Sequence, residues 1–130
     1  MFYSFSTQEE RRNFNGSCFI EIAFCKLPSN THVRKIVSTH SIHHWQNDSL
    51  YVNGDDMDEF FRIYSCIFGY GVYHNLKSGV VDCFGINYYE PTRVPSIIAK
   101  LCQKEPVDYK KLVDWLNCAK QYNGFYILGM

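Results

Sequence analysis

Four histidines stand close together in the chain, at His32, His40, His43 and His44. Neutral imidazole is the commonest side-chain ligand for transition metals, and several in one place could hold a zinc ion and activate a water. On a helix His40 and His44, four residues apart, share a face. The zinc-protease pattern requires a glutamate directly after its first histidine, and Ser41 stands there instead. No acid occurs within the cluster, and in a strand His43 and His44 point to opposite faces. The expectation is a polar surface segment anchored to the core by Trp45, with no metal and no cofactor. A small metal-dependent hydrolase built on His40, His43 and His44 is the alternative.

The acids Asp55, Asp56, Asp58 and Glu59 offer oxygen ligands for a hard cation. A calcium loop alternates its ligands over about twelve residues, whereas this run passes straight into Phe60-Phe61. Negative charge at a helix start accounts for it more simply, and a helix start is also exposed to a partner. Cys83 and His74 could pair across a hairpin as nucleophile and base, provided the thiol pKa is lowered. Gly69-Tyr70-Gly71 lacks the further glycine of a phosphate loop and reads as a helix stop. Ser65 and Ser96 have no nucleophile-elbow context. Catalytic residues are therefore not expected, and the chain reads as a binding protein.

Charge narrows the kind of partner. Thirteen basic residues balance thirteen acidic ones, without the basic excess of a nucleic-acid binder. The distribution is uneven: residues 55–90 carry two basic and six acidic groups, net −4. An acidic middle suits a basic protein, with Asp55, Asp56, Asp58 and Glu59 as its charges and Tyr70 and Tyr73 as aromatic anchors. The ten tyrosines are otherwise expected mostly at the core. No apolar run approaches the roughly 18 residues that span a bilayer, and the N-terminus lacks a basic start followed by an apolar run. A cytoplasmic location without membrane contact is expected. The six cysteines have no paired ligand spacing and read as reduced thiols serving as small hydrophobes.

The elements that must position these residues follow from periodicity. Phe2–Phe5 reads as a short strand, and Ser6 or Thr7 caps a helical turn ahead of Glu9 and Glu10. Cys18–Cys25 is a strand bounded by Asn15-Gly16 and Pro28-Ser29-Asn30, with Glu21 in its middle either facing solvent or meeting a partner. Residues 31–47 form a short helical or irregular segment, and Ser49–Val52 a strand. Asp55–Phe68 is a helix with Phe60, Ile63, Tyr64 and Ile67 on one face. Residues 72–75 and 80–88 form strands around the turn Leu76–Gly79. Two helices follow: Pro91 starts one with the stripe Val94, Ile97, Ile98 and Leu101, and Asp108 caps the next, with Leu112, Val113 and Leu116 inward. Asn123-Gly124 stops it, and Phe125–Leu128 is a last strand lying inside the sheet. The pattern predicts one α+β domain over residues 1–130, with a mixed or antiparallel sheet packed against about three helices.

The C-terminal half is the most recognisable stretch: GVVDCFGINYYEPTRVPSIIAKL followed by DYKKLVDWLNCAKQYNGFYILG. An aromatic strand enters a Pro-started helix, then a Trp-bearing helix, then a strand. This resembles in general style the small immunity proteins encoded beside bacterial polymorphic toxins, including those of contact-dependent growth inhibition. The resemblance covers about half the chain, and no residue-level motif transfers. It implies a cytoplasmic, non-catalytic inhibitor that covers the active site or substrate face of a cognate toxin. A basic nuclease is the kind of toxin an acidic surface would suit.

Overall fold

The computed structural model describes residues 1–14 and 18–129; the Asn15-Gly16 turn read from the sequence lies outside them. Strand β1 (Phe2–Tyr3) leads into helix α1 (Gln8–Asn13). Thr7 Oγ1 accepts the Glu10 amide at 3.0 Å while Glu10 reaches back to the Ser6 amide at 3.0 Å, a reciprocal cap that starts this helix. Next come β2 (Phe19–Phe24), the single helical turn α2 (Val33–Ile36) and β3 (Leu50–Asn53). A 3-10 turn over Gly54–Asp56 opens α3 (Met57–Tyr64), which ends four residues earlier than its apolar stripe suggested. Strands β4 (Gly71–Val72), β5 (Ser78–Gly79) and β6 (Ile86–Tyr89) follow, then α4 (Val94–Lys104), α5 (Tyr109–Ala119) and β7 (Phe125–Leu128).

Among the described residues the strands form one seven-stranded sheet, order β1-β3-β2-β7-β6-β4-β5, with every pairing antiparallel. The fold is α+β. The last strand lies between β2 and β6, as its uncharged run predicted. All six residues of β2 are buried, so this strand is covered on both faces. Ile20, Ile22 and Phe24 meet the core side, where α3 contributes Phe60 and Tyr64, α4 Ile97 and Leu101, and α5 Leu112, Trp115 and Leu116. Phe24 stacks on Trp115 with centroids 4.0 Å apart. The alternate residues face the other way: Ala23 packs with Tyr126, Leu128, Ile36 and Val37, and Phe19 with Phe5 and Tyr51. The segment between β2 and β3 thus roofs the second face in place of long helices.

Three expectations about elements need correction. Residues 80–88 are not one strand: a loop separates β5 from β6, because the Asp82 carboxylate accepts the Phe84 amide at 2.9 Å and turns the chain. Asp108 does not cap α5 with its side chain. It stands before the helix at φ 62° with no such bond, and its carboxylate meets the Met1 amine at 2.6 Å. The cysteines are not mainly core residues. Cys25 and Cys83 are buried, but Cys18, Cys66, Cys102 and Cys118 are exposed. Cys102 illustrates why: it directly follows buried Leu101 on α4, and a step of about 100° turns it out of the apolar stripe. No helix among the described residues is long and apolar enough to cross a membrane.

Candidate functional site

The histidines separate in space. His32 caps α2, its Nδ1 accepting the Arg34 amide at 3.1 Å. His40 lies exposed in a 3-10 turn over Thr39–Ser41. His43 lines a cavity of about 280 Å³ with Ala23, Lys26, Gln46 and Tyr126. His44 Nδ1 comes within 3.5 Å of Glu21 Oε1. The chain order showed no acid in this cluster, yet β2 delivers one from more than twenty residues upstream. Among the described residues no three His, Cys, Asp or Glu side chains are grouped to hold a metal ion.

Glu21 is fully buried and gathers the segment that roofs the sheet. Its Oε1 accepts the Trp45 amide at 2.9 Å. Its Oε2 accepts the Gln46 amide at 3.1 Å, the Ser49 hydroxyl at 2.7 Å and the Tyr51 hydroxyl at 3.4 Å. Burial alone pushes a carboxyl pKa upward, but the bonds from His44, Trp45, Ser49 and Gln46 outweigh it and hold Glu21 below the usual carboxylate range. Trp45 sits at φ 66°, a left-handed conformation that a non-glycine residue adopts only when its surroundings enforce it. Its ring stacks on Tyr51 at 5.9 Å, so the expected anchor is present. This constellation holds the 44–51 segment in place against β2.

The Cys83 thiol lies on the wrong side of its ordinary pKa for a nucleophile. Burial pushes it up first, and the charges of Asp82 and Asp58 push it further. His74 lies exposed in the β4–β5 turn.

The acids of residues 55–59 form one exposed helix start. The Asn53 side-chain oxygen Oδ1 accepts the Asp55 amide at 3.0 Å and caps the 3-10 turn. Asp55, Asp58 and Glu59 are exposed and Asp56 half-buried, while Met57, Phe60 and Tyr64 point inward. Glu59 is engaged by Arg62 at 2.5 Å, which keeps its carboxyl below the usual range. Asp58 and Asp82 both add to the upward push on the Cys83 thiol, and the Val81 amide donates to the Phe68 carbonyl at 2.9 Å, tying the 80–85 loop to the chain just after α3. That loop is built to present a side chain. Buried Asn87 accepts the Asp82 amide at 2.8 Å and donates to the carbonyls of Asp82 at 2.8 Å and Ile127 at 2.9 Å. Pinned in this way, the loop leaves Phe84 78% exposed, with Val80 at 47% and Phe61 of α3 at 43%.

The two tyrosines expected as anchors take different positions. Tyr73 is half-buried and its hydroxyl donates to the Val80 carbonyl, so it braces the loop. Tyr70 is 64% exposed but lies against Arg93, 5.6 Å from ring centroid to guanidinium. The exposure of Phe84 and Phe61, at 78% and 43%, escaped the sequence reading. The available signal was the tetrapeptide Asp82-Cys-Phe-Gly85, whose ends favour a turn.

Tyr70 provides a test of local geometry, since its φ is 63°. Glycine there relieves a left-handed cost of about 1–2 kcal/mol, while the lost ring contact costs about 0.5–1 kcal/mol and added chain entropy about as much. Tyr70→Gly is therefore expected to unfold within about 1 kcal/mol of the parent in urea. Tyr70→Val, β-branched and unsuited to this conformation, should lose clearly more. Equal losses for both variants would mean that the ring, not the backbone, matters at this position.

Compared with known proteins, the chain matches no family model, no curated protein and no solved structure.

Proposed function

We propose that this chain is a non-catalytic binding protein that neutralises a basic protein partner. Its most specific form is a cytoplasmic immunity protein that blocks the active site or substrate face of a cognate bacterial toxin, a nuclease for example. The observation that carries the reading is the joining of charge and apolar anchor on one surface. Exposed Asp82 lies on the same pinned loop that holds Phe84 out into solvent, and its carboxylate accepts the Phe84 amide, while the exposed acids at the start of α3 add to the acidic middle of the chain. A rigid aromatic costs little entropy to immobilise and fills a pocket on a partner. Surrounding carboxylates raise the encounter rate with a basic surface and exclude acidic competitors. The style of the C-terminal half supports the immunity form of this reading, and neither nucleic acid nor membrane is a partner in it.

The experiment begins with a cross-linked pull-down from the native host and continues with kinetics on the captured protein. Lysine at Asp55, Asp56 and Asp58 together is expected to slow association at least tenfold at low salt and to flatten its salt dependence. Phe84→Ala is expected to act on dissociation instead, weakening binding by about 2 kcal/mol or more. Unchanged rates in both variants would place the interface elsewhere. Recovery of a bound small molecule with no protein partner would overturn the proposal.

A further inference from the structure

The loop that carries Phe84 is held more firmly than a connection requires. Buried Asn87 bonds the Asp82 main chain through both ends of its amide, and reaches the Ile127 carbonyl as well. Asp82 Oδ1 accepts the Phe84 amide at 2.9 Å. The Gly129 amide donates to the Gly85 carbonyl at 2.8 Å, the Val81 amide to the Phe68 carbonyl at 2.9 Å, and the Tyr73 hydroxyl to the Val80 carbonyl. Gly129 passes so close to the loop that a Cβ there would stand 2.1 Å from the Cys83 carbonyl oxygen. Loops are ordinarily the mobile part of a fold, and a mobile one would let an apolar ring fold back onto the protein. Here the main chain is fixed, and Phe84 is the most exposed of the large apolar side chains among the described residues. An aromatic held rigid in water before any partner arrives has the form of an interface anchor.

Two observations select what it meets. The first is where the loop's hydrogen bonds go. They engage the amides of Val81, Asp82, Phe84 and Gly85 and the carbonyls of Val80, Asp82 and Gly85. A strand laid along the loop would find these groups already bonded, so recognition falls to the ring. The second is charge. Residues 55–90 carry net −4, and exposed Asp82 stands in the loop itself. A second copy of this chain would bring the same sign to the contact, whereas a cationic surface would bring the opposite one. We propose that Phe84 inserts as a pre-set knob into an apolar pocket bordered by lysine or arginine on the partner, and that Asp82 and Asn87 are positioning residues that fix the ring before encounter. This rests on the basic-partner reading above and adds how that partner is recognised.

The test uses the whole protein and a probe of the same chemistry, amino-β-cyclodextrin, an apolar cup rimmed by ammonium groups. Neutral β-cyclodextrin is the control. The Phe84 ring resonances are expected to shift saturably, with the cationic cup binding about fivefold or more tighter than the neutral one at low salt and the difference closing in ~0.5 M salt. Less exposed Phe61 and Tyr70 should respond more weakly, and Phe84→Ala should remove the main response. Positioning is read separately, in the free protein. The Phe84 amide is expected to exchange about tenfold or more slowly than in an unstructured peptide. Asn87 lies inside the sheet, so the variants are made at exposed Asp82. Asp82→Ala removes the acceptor and should release the amide, while Asp82→Asn keeps an acceptor oxygen and should retain the protection. Both remove the same charge, so their difference isolates the turn. At high salt Asp82→Asn should bind the cup like the parent and Asp82→Ala about threefold or more weakly. A Phe84 amide that exchanges freely in the parent, or equal cup binding by the two variants, would overturn the positioning and leave the basic-partner reading standing. A cup that prefers Phe61 or Tyr70 would overturn the knob. Neutral and cationic cups binding alike at low salt would overturn the cationic pocket and, with it, the charge argument for a basic partner.

Discussion

Replacing Glu21 by alanine is expected to remove about 3–5 kcal/mol of stability, the usual consequence of deleting one member of a buried charged network. The number follows from what would be left behind. The amides of Trp45 and Gln46 and the hydroxyl of Ser49 now bond to its two oxygens. Without them each becomes a desolvated donor at about 1–3 kcal/mol, with partial relief from entering water. The left-handed backbone at Trp45 would also lose the acceptor that enforces it. Domains of this kind are stable by about 5–15 kcal/mol in total, so the variant should lose a large share of the parent's margin and melt at a clearly lower temperature. Urea titration measures the loss directly. Glu21→Gln retains the shape but not the charge, and should fall between parent and alanine.

The same carboxylate sets an acid limit. Its folded pKa lies below the ordinary value, so the unfolded chain takes up the proton first as pH falls. Its contribution is complete above the unfolded pKa of about 4.3 and disappears as pH falls through the folded value. Parent protein should therefore lose stability more steeply than Glu21→Gln below about pH 4. Parallel pH profiles for the two proteins would show that other groups set the acid limit.

How much of this was legible in the sequence depends on the range of the interaction. The apolar stripes of α4 and α5 and the uncharged run of β7 express periodicity within a few residues, and each forms where its pattern lies. Glu21 was conspicuous as the single charge in a β-rich run, but its partners were not. They stand more than twenty residues away, and two of them are the backbone amides of Trp45 and Gln46, which have no residue type by which to announce themselves. The 80–88 run failed for a related reason. Its composition is strand-like, and the interruption comes from two side chains, Asp82 and Asn87, bonding to main chain. Phe84 consequently read as a strand residue, although it is the most exposed of the large apolar side chains among the described residues. Arg11 gave no warning either. A charged residue in a charged helical turn reads as solvated, and only the return of Trp45 over it buries the guanidinium.

Removing β7 is expected to have the largest effect of all. A chain lacking residues 124–130 should show no cooperative melting transition. In the ladder β7 pairs with β2 from Glu21↔Leu128 to Phe24↔Phe125 and with β6 from Ile86↔Leu128 to Tyr89↔Phe125. Its loss divides the sheet into β1-β3-β2 on one side and β6-β4-β5 on the other. It also removes Phe125 and Ile127 from the core beneath the helices and Tyr126 and Leu128 from the opposite face. A single atom tests the entry to this strand more gently. Gly124 adopts φ 80°, and a Cβ built there would stand 2.1 Å from the Tyr89 carbonyl oxygen. That obstacle is the backbone of the neighbouring strand and cannot rotate aside like a side chain. Gly124→Ala therefore adds a left-handed cost of about 1–2 kcal/mol to a displacement of β6 against β7. Overpacking of this kind costs about 1–3 kcal/mol, so about 2–5 kcal/mol in all is expected by urea unfolding. Should Gly124→Ala unfold like the parent, or the truncated chain melt cooperatively, β7 would not be the strand that joins the two halves of the sheet.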